Sequence, residues 1–209
     1  MPRSLGRKMQ MKLGRYVLAV CLLLSPALAQ AQDFGVMESA ETIDKGNFKL
    51  KVNPMFILGD DTQTGVVGGF GYGFTDTFDF EANVAHYTGL TLVGGNVEYW
   101  LVKGRHPLDV SASVGFHVAK ADYGDQTGVD VTVIGSHAMT PHLDVYAALD
   151  MAFNKYRDSL PDNSYRQVHL VPGLEYKVHN DLDVVAEVGI ALNDSGSNYV
   201  SVGLAYYVR

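Results

Sequence analysis

The sequence predicts an exported, all-β protein that folds as a closed antiparallel up-and-down transmembrane β-barrel. Three observations predict this class: an export signal at the amino terminus, a period-two alternation of apolar and polar residues, and a hairpin motif that recurs four times. A period of two is typical of strands with one buried face, whereas a helix would repeat about every 3.6 residues. The predicted number of strands is about ten, and counts of about eight to twelve fit the same pattern.

Residues 1–31 have the layout of a cleavable secretory signal peptide. A basic start is followed by a short apolar run and then by small residues, with cleavage expected after Ala29 or Ala31. The apolar run is too short to cross a bilayer as a helix. It contains Cys21, the only cysteine of the sequence, so we expect no disulfide or thiol chemistry in the mature domain, residues 32–209.

Removal of the signal peptide makes the charge balance more acidic. The whole sequence has 16 Lys and Arg against 23 Asp and Glu, and five of the cations lie in residues 1–31. The mature domain therefore has 11 cations against 23 acids, a formal net charge of −12. From this net charge we expect no nucleic-acid partner and no docking on anionic lipid surfaces. No mature segment approaches the roughly 18 consecutive apolar residues of a membrane helix.

A hairpin motif divides the mature domain into repeats. It consists of an apolar residue, Asp, an apolar residue, any residue and Ala, and its copies begin at Phe78, Leu108, Leu143 and Leu182. Each copy follows a compact turn, and successive copies are 30, 35 and 39 residues apart. This spacing accommodates a strand, a loop, a second strand and a turn, which together form the repeating unit of an up-and-down barrel.

The motif and the alternation together place ten strands. Compact turns follow the even-numbered strands, and two longer connections lie at the other end of the barrel. Tight turns face the periplasm in membrane barrels of this kind, so both termini are expected there. The predicted strands, with boundaries good to ~2–4 residues, are 47–58, 62–73, 78–88, 91–102, 108–120, 128–138, 143–155, 165–178, 182–192 and 198–208.

The direction of the apolar face decides between a barrel in a membrane and a soluble one. Strands of about eleven residues match the ~9–11 needed to cross hydrocarbon, and aromatic residues of the apolar face lie near the turns, where a bilayer interface selects them. We therefore expect the apolar face to meet lipid, with a soluble periplasmic, lipocalin-like ligand-binding barrel as an alternative. The predicted interface aromatics are Phe48, Phe74, Phe78, Tyr99, Tyr176 and Tyr206.

Charged residues on the polar face are expected to line the lumen. In one interpretation Lys49, Lys51, Lys177 and Arg209 pair with nearby acids and fill the interior, and in the other the charges line a narrow pore. Ten strands lie close to the eight whose interior side chains fill, which favours a plug or a very narrow passage. The predicted lumen-facing residues are Lys49, Lys51, Glu81, Glu98, Asp109, His117, Asp150, His169, Glu175, Lys177 and Glu187.

No motif in the mature domain indicates an enzyme. His117 and His169 lie on the polar face, but no spacing joins them to a nucleophile. The glycines of the second strand lack the helix and the Lys-Ser/Thr pair of a phosphate loop, so we expect them to bend the barrel or leave space in its lumen. We therefore predict no catalytic residue, metal ligand or cofactor, and an outer-membrane lipid-modifying enzyme stays as an alternative.

Over its mature length the chain resembles the small outer-membrane β-barrel proteins of Gram-negative bacteria. The last strand is similar to their carboxyl-terminal assembly signal, although it ends in Arg209 rather than in an aromatic residue. The resemblance implies Sec-type export, residence among outer-membrane lipids, insertion by the barrel-assembly machinery and a monomeric state. It also implies a non-enzymatic structural or surface-interaction role, or a narrow passive pore.

Overall fold

The computed structural model describes residues 34–59, 62–104, 108–122, 124–157 and 164–209. They form ten antiparallel strands that close into one barrel, because each strand pairs with its neighbours in sequence and the first pairs with the last. The strands are β1 Phe48–Leu58, β2 Gln63–Thr75, β3 Phe78–Tyr87, β4 Leu90–Val102, β5 Asp109–Ala121, β6 Gln126–Thr140, β7 Leu143–Tyr156, β8 Ser164–His179, β9 Leu182–Ala191 and β10 Asn198–Val208.

The predicted fold class is confirmed, and each strand begins and ends within two residues of its predicted position. Within the described ranges no helix is long and apolar enough to cross a membrane. The predicted signal peptide, residues 1–31, lies outside the described residues and stays a prediction.

The two ends of the barrel are named here by their connections. The turn end carries the connections after β2, β4, β6 and β8, together with the start of β1 and the end of β10. Two of its turns are stabilised by threonine hydroxyls, since Thr75 and Thr140 each accept a hydrogen bond from the backbone N–H two residues later, both at 3.2 Å. The opposite end is the loop end. By the rule for outer-membrane barrels, the turn end would face the periplasm.

Apolar side chains cover the outside of the barrel and polar ones line most of the inside. Along β7, for example, Val145, Leu149 and Phe153 are exposed on the outer face, while Asp144 and Asp150 at alternate positions are buried. This arrangement suits a barrel that meets lipid rather than one that encloses a ligand in an apolar interior. The apolar face therefore points outward, as the sequence predicts.

The interior also has an apolar sector in its loop-end half. Met55, Val67, Ala85, Tyr87 and Leu92 are buried there on neighbouring strands β1 to β4. The Tyr87 hydroxyl lies 3.0 Å from the Met55 sulfur and donates to it. Apolar residues that precede β1 pack against the same cluster.

An extended segment before β1, residues 34–47, runs inside the barrel, and we call it the plug segment. It enters at the turn end, where the Gly46 N–H donates to the Gly73 carbonyl at 2.8 Å. At its far end Phe34 packs edge-on against His117, with ring centroids 6.1 Å apart, in the loop-end half of the lumen. The sequence analysis did not predict this segment.

Candidate functional site: the plugged lumen

Glu187 on β9 is the main acceptor for the plug segment. Its carboxylate accepts the backbone N–H of Val36 at 3.1 Å and that of Met37 at 2.7 Å. It also accepts the hydroxyls of Tyr146 and Tyr199, at 2.8 and 3.1 Å, so each oxygen receives two donors. All of these groups are buried. The two tyrosines orient the carboxylate, which then binds two consecutive backbone groups of the segment.

Three further backbone N–H groups of the plug segment are bound between Glu187 and the turn end. Extended backbone outside a sheet has unpaired N–H groups, and burying them is unfavourable unless each finds an acceptor. Side chains from three different strands provide these acceptors: Glu175 for Ser39 at 3.0 Å, the Ser136 hydroxyl for Ala40 at 3.1 Å, and Asp79 for Ile43 at 2.7 Å.

A buried ion cluster also ties the plug segment to the wall. The Lys49 ammonium on β1 lies 2.7 Å from the carboxylate of Glu38, which belongs to the segment, and 2.9 Å from that of Glu81 on β3. Lys51 pairs with Glu81 as well. All four side chains are about nine-tenths buried or more. Losing one partner from such a cluster would leave a buried charge uncompensated, which typically costs about 3–5 kcal/mol.

Two glycines near the turn end of β2 make room for the plug segment. A Cβ on Gly73 would lie 2.2 Å from the Asp44 carbonyl oxygen, and one on Gly71 would lie 2.4 Å from the Ile43 side chain. A backbone oxygen has little freedom to move aside, so Gly73 has no tolerance for a side chain in this arrangement. These glycines leave space in the lumen, and the plug segment is what occupies it.

The predicted lumen-facing residues fall into two groups. Lys177 is at the turn-end rim, where it pairs with Asp144 at 3.2 Å and Glu41 at 3.5 Å, and Asp109 accepts the Gly104 N–H there at 2.6 Å. Burial, opposed by the charge of Lys177, raises the pKa of Glu41. The residues buried inside the barrel are Lys49, Lys51, Glu81, Glu98, His117, Asp150, His169, Glu175 and Glu187.

Arg209 is not in the lumen, contrary to the pairing expected from the sequence. It is exposed at the turn end, where it pairs with Asp181 at 3.1 Å and donates to the Asn180 carbonyl at 2.6 Å. The alternation of β10 would turn this position inward, but β10 ends at Val208, so Arg209 lies beyond the strand and pairs with the adjacent turn instead.

The two lumen histidines are engaged in hydrogen-bond networks. The ring nitrogens of His117 lie 2.7 Å from an Asp130 carboxylate oxygen and 2.9 Å from the Asn154 side-chain oxygen, and Asn154 donates to Gln167 at 2.9 Å. His169 lies 3.1 Å from the Ser197 carbonyl. In the described ranges, no group of three or more His, Cys, Asp or Glu side chains is arranged to hold a metal ion.

The space left beside the plug segment is small. Within the barrel a cavity of about 50 Å³ lies between Phe34, Asp130 and Asp150. That is room for little more than a water molecule or two. A wider vestibule of about 540 Å³ opens at the turn end, lined by Glu41, Lys177 and other rim residues. Along the part of the chain that the structure describes, the lumen is thus filled by the chain itself.

The predicted interface aromatics all lie near the turn end. Several pack against one another: Phe48 is 4.9 Å from Tyr72, Tyr72 is 5.1 Å from Phe74, and Phe74 is 5.9 Å from Phe78, between ring centroids. Their contact with a membrane interface stays a prediction. Those exposed on the outer face are Phe48, Phe74, Tyr99, Tyr176 and Tyr206, with Phe78 partly exposed beside them.

No family model and no curated protein matches the chain. Among solved structures it is similar to an outer membrane channel from Pseudomonas putida F1, with 9% sequence identity and a TM-score of 0.55, over 85% of this chain and 100% of that one. It is also similar to the NanC porin, with 12% identity and a TM-score of 0.47, over 75% of this chain and 98% of that one. For Ail from Yersinia pestis the identity is 13% and the TM-score 0.42, over 78% and 100% of the two chains.

The similarity to the Pseudomonas channel shows the fold, and the fold defines the class. This chain is a closed antiparallel β-barrel with the fold of that channel, and the fold class predicted from the sequence is confirmed. Its lumen contains the plug segment, which is held there by side chains from several strands.

Proposed function

We propose that this chain is a small, non-enzymatic outer-membrane barrel that its own plug segment keeps closed, with a structural or surface-interaction role. The observation that carries this proposal is the binding of five backbone N–H groups of the segment by Glu187, Glu175, Ser136 and Asp79. Such a set of acceptors holds the backbone of the plug segment in one register. The segment is therefore an integral part of the folded barrel interior.

The surroundings of His117 argue against the lipid-modifying alternative. Both ring nitrogens of His117 face bonding partners, and Phe34 packs against its ring. The adjoining cavity of about 50 Å³ is far too small for a lipid or a peptide. A general base must reach its substrate directly or through one water molecule, and this site offers no room for either substrate.

A narrow passive pore is the second candidate, and the charge of the lumen wall favours it. If the plug segment left, the inward-facing charges would be strongly acidic, and a ring of carboxylates selects for cations. The inward-facing strand cations are Lys49, Lys51 and Lys177, against the acids Asp79, Glu81, Glu98, Asp109, Asp130, Asp144, Asp150, Glu175, Asp183 and Glu187.

Conductance in planar lipid bilayers tests the closed state. The mature chain is compared with a variant that lacks residues 34–44 and with one in which the same stretch is replaced by a Gly-Ser linker of equal length. We expect the mature chain to be silent and both variants to conduct, with K⁺ preferred over Cl⁻. Heat-modifiable migration of all three proteins on gels would show that the barrels are folded. Steady conductance of the mature chain equal to that of the deletion variant would refute the proposal that the plug segment closes the barrel.

A further inference from the structure

On the outward-facing positions of the described strands, charged Lys, Arg, Asp and Glu side chains are few, basic and confined to the loop end. Within the described strands every Asp and Glu lies on the inward-facing set of positions. The outward-facing Lys and Arg residues are Lys120 on β5, Lys155 on β7 and Arg166 on β8, and all three are exposed. The mature domain has a negative net charge, but its acids face the lumen or lie in the connections. The net charge therefore does not describe the outer face of the strands.

Lys155 and Arg166 are diagonal neighbours on adjacent strands. Lys155 pairs in register with Ser164, and Arg166 pairs with Phe153. Diagonal neighbours on one face of a sheet have Cβ atoms roughly 7–8 Å apart, so two long side chains can meet at one anion. Lys120 is two strands away at the same end, since β6 lies between β5 and β7.

A groove at the same place joins the two cations to apolar surface. It has a volume of about 470 Å³ and is lined by Phe153, Lys155, Ser164 and Arg166, with two inward-facing neighbours. The Phe153 side chain is 49% exposed. An apolar wall directly below two cations matches the layout of a lipid, in which acyl chains adjoin a charged headgroup.

Among the described residues, these outward cations differ from those of the lumen in having no acidic partner. Lys49, Lys51 and Lys177 each pair with at least one carboxylate, whereas Lys155 and Arg166 form no ion pair with any residue in the described ranges. A cation at the edge of an apolar band is expected to attract the negative charge of the membrane surface. Arg adds a planar pair of donors, which suits phosphate oxygens.

We propose that Lys155 and Arg166, with Lys120 beside them, bind the phosphate group of a membrane lipid at the loop end of the barrel. The site lies on the outer wall where the apolar surface ends, at the headgroup level of the leaflet that the loop end faces. This inference rests on the membrane placement of the barrel and is independent of the plug segment. It runs against the expectation, drawn from net charge, that the protein does not dock on anionic lipid, and the experiment below decides between the two.

Lipid retention in nanodiscs tests the site. The mature chain and a Lys155→Gln/Arg166→Gln variant are placed in phosphatidylcholine nanodiscs that contain bisphosphorylated lipid A, and the bound lipid is counted by native mass spectrometry over a range of lipid A fractions. We expect the variant to retain lipid A roughly 30-fold more weakly, since each cation near a membrane surface contributes about a factor of five. Lys45→Gln, which removes an exposed cation at the turn end, is the matched control and should retain lipid A normally.

Two further probes identify the ligand group. Dephosphorylated lipid A should bind the parent protein as weakly as lipid A binds the double variant. Inorganic phosphate at millimolar concentration should displace little lipid A, because it lacks the acyl chains that contact Phe153. Equal retention by the parent and the double variant, an equal loss in Lys45→Gln, or undiminished binding of the dephosphorylated lipid would each overturn the proposal. Full displacement of lipid A by inorganic phosphate would refute a lipid site and would indicate that the two cations bind a free anion.

Discussion

Replacing Glu187 by Gln tests the plug with almost no change of shape. The carboxylate accepts four hydrogen bonds, two from the backbone of Val36 and Met37 and two from the hydroxyls of Tyr146 and Tyr199. In the Gln side chain only one oxygen accepts, and the NH₂ group that replaces the other oxygen can only donate. A tyrosine hydroxyl can rotate and accept from that NH₂ group, but a backbone N–H cannot.

The expected loss of docking free energy of the plug segment follows from this count of hydrogen-bond donors. One of the two backbone N–H groups is left buried without an acceptor, which costs about 1–3 kcal/mol. The remaining bonds lose their charge assistance, and neutral hydrogen bonds are roughly half as strong as charge-assisted ones. Together these effects weaken docking of the plug segment by about 2–4 kcal/mol, so the undocked fraction should rise by between about 30-fold and several hundred-fold.

Cysteine labelling measures that fraction directly. The only cysteine of the sequence is Cys21, so residues 32–209 contain none, and Ser39→Cys places a single thiol in the plug segment. Ser39 is 3% exposed, so a membrane-impermeant maleimide should react at a rate set by undocking. The rate should rise by the factor given above when Glu187→Gln is added.

Glu98→Gln is the matched control for this measurement. Glu98 is also a buried acid of the lumen, but its carboxylate forms no hydrogen bond with the plug segment in the described ranges. The labelling rate should therefore stay within about twofold of the parent rate. An unchanged rate in Glu187→Gln, or an equal rise in Glu98→Gln, would refute the assignment of Glu187 as the anchor.

The remaining predictions concern the entrance of the plug and the lumen histidines. Gly73→Ala should raise the Ser39→Cys labelling rate by about 5- to 150-fold, because a Cβ placed 2.2 Å from the Asp44 oxygen overpacks the entrance at a cost of about 1–3 kcal/mol. Gly68→Ala on the same strand faces outward, with its nearest neighbour 3.8 Å away, and should leave the rate unchanged; equal rates in the two variants would contradict the steric argument. His117→Ala together with His169→Ala should leave the lipid A and phospholipid profiles of the host membrane unchanged, and an altered profile would favour the enzyme.

The barrel could be predicted from the sequence because the pattern that specifies each strand lies within that strand. Each strand shows its own alternation, and the motif at Phe78, Leu108, Leu143 and Leu182 marks where four hairpins meet their turns. Alternation also separates inward from outward residues, so it predicts that Glu175 and Glu187 face the lumen, where the structure has them buried. The alternation continues over about ten residues in each strand. A shift of one residue would turn every apolar side chain to the wrong face, so the pattern determines which face each residue occupies.

The plug segment could not be predicted in the same way, since nothing in its own sequence specifies its structure. Residues 34–47 show no sustained alternation and form no regular element. Their partners are distant in sequence: Glu187 lies 151 residues from Val36, and Glu175 lies 136 residues from Ser39. These acceptors come together only when the barrel closes, so the closed barrel specifies the position of the segment.

The acid excess of the lumen is the one sequence signal that points to the plug. Lys49 pairs with Glu38 and Glu81, and Lys51 pairs with Glu81, whereas Glu175 and Glu187 form no ion pair within the described residues. A buried carboxylate needs donors, and backbone N–H groups provide them without adding charge. An acid-rich lumen with too few cations therefore indicates that uncharged donors lie inside, and in this barrel the residues just before β1 are the ones that supply them.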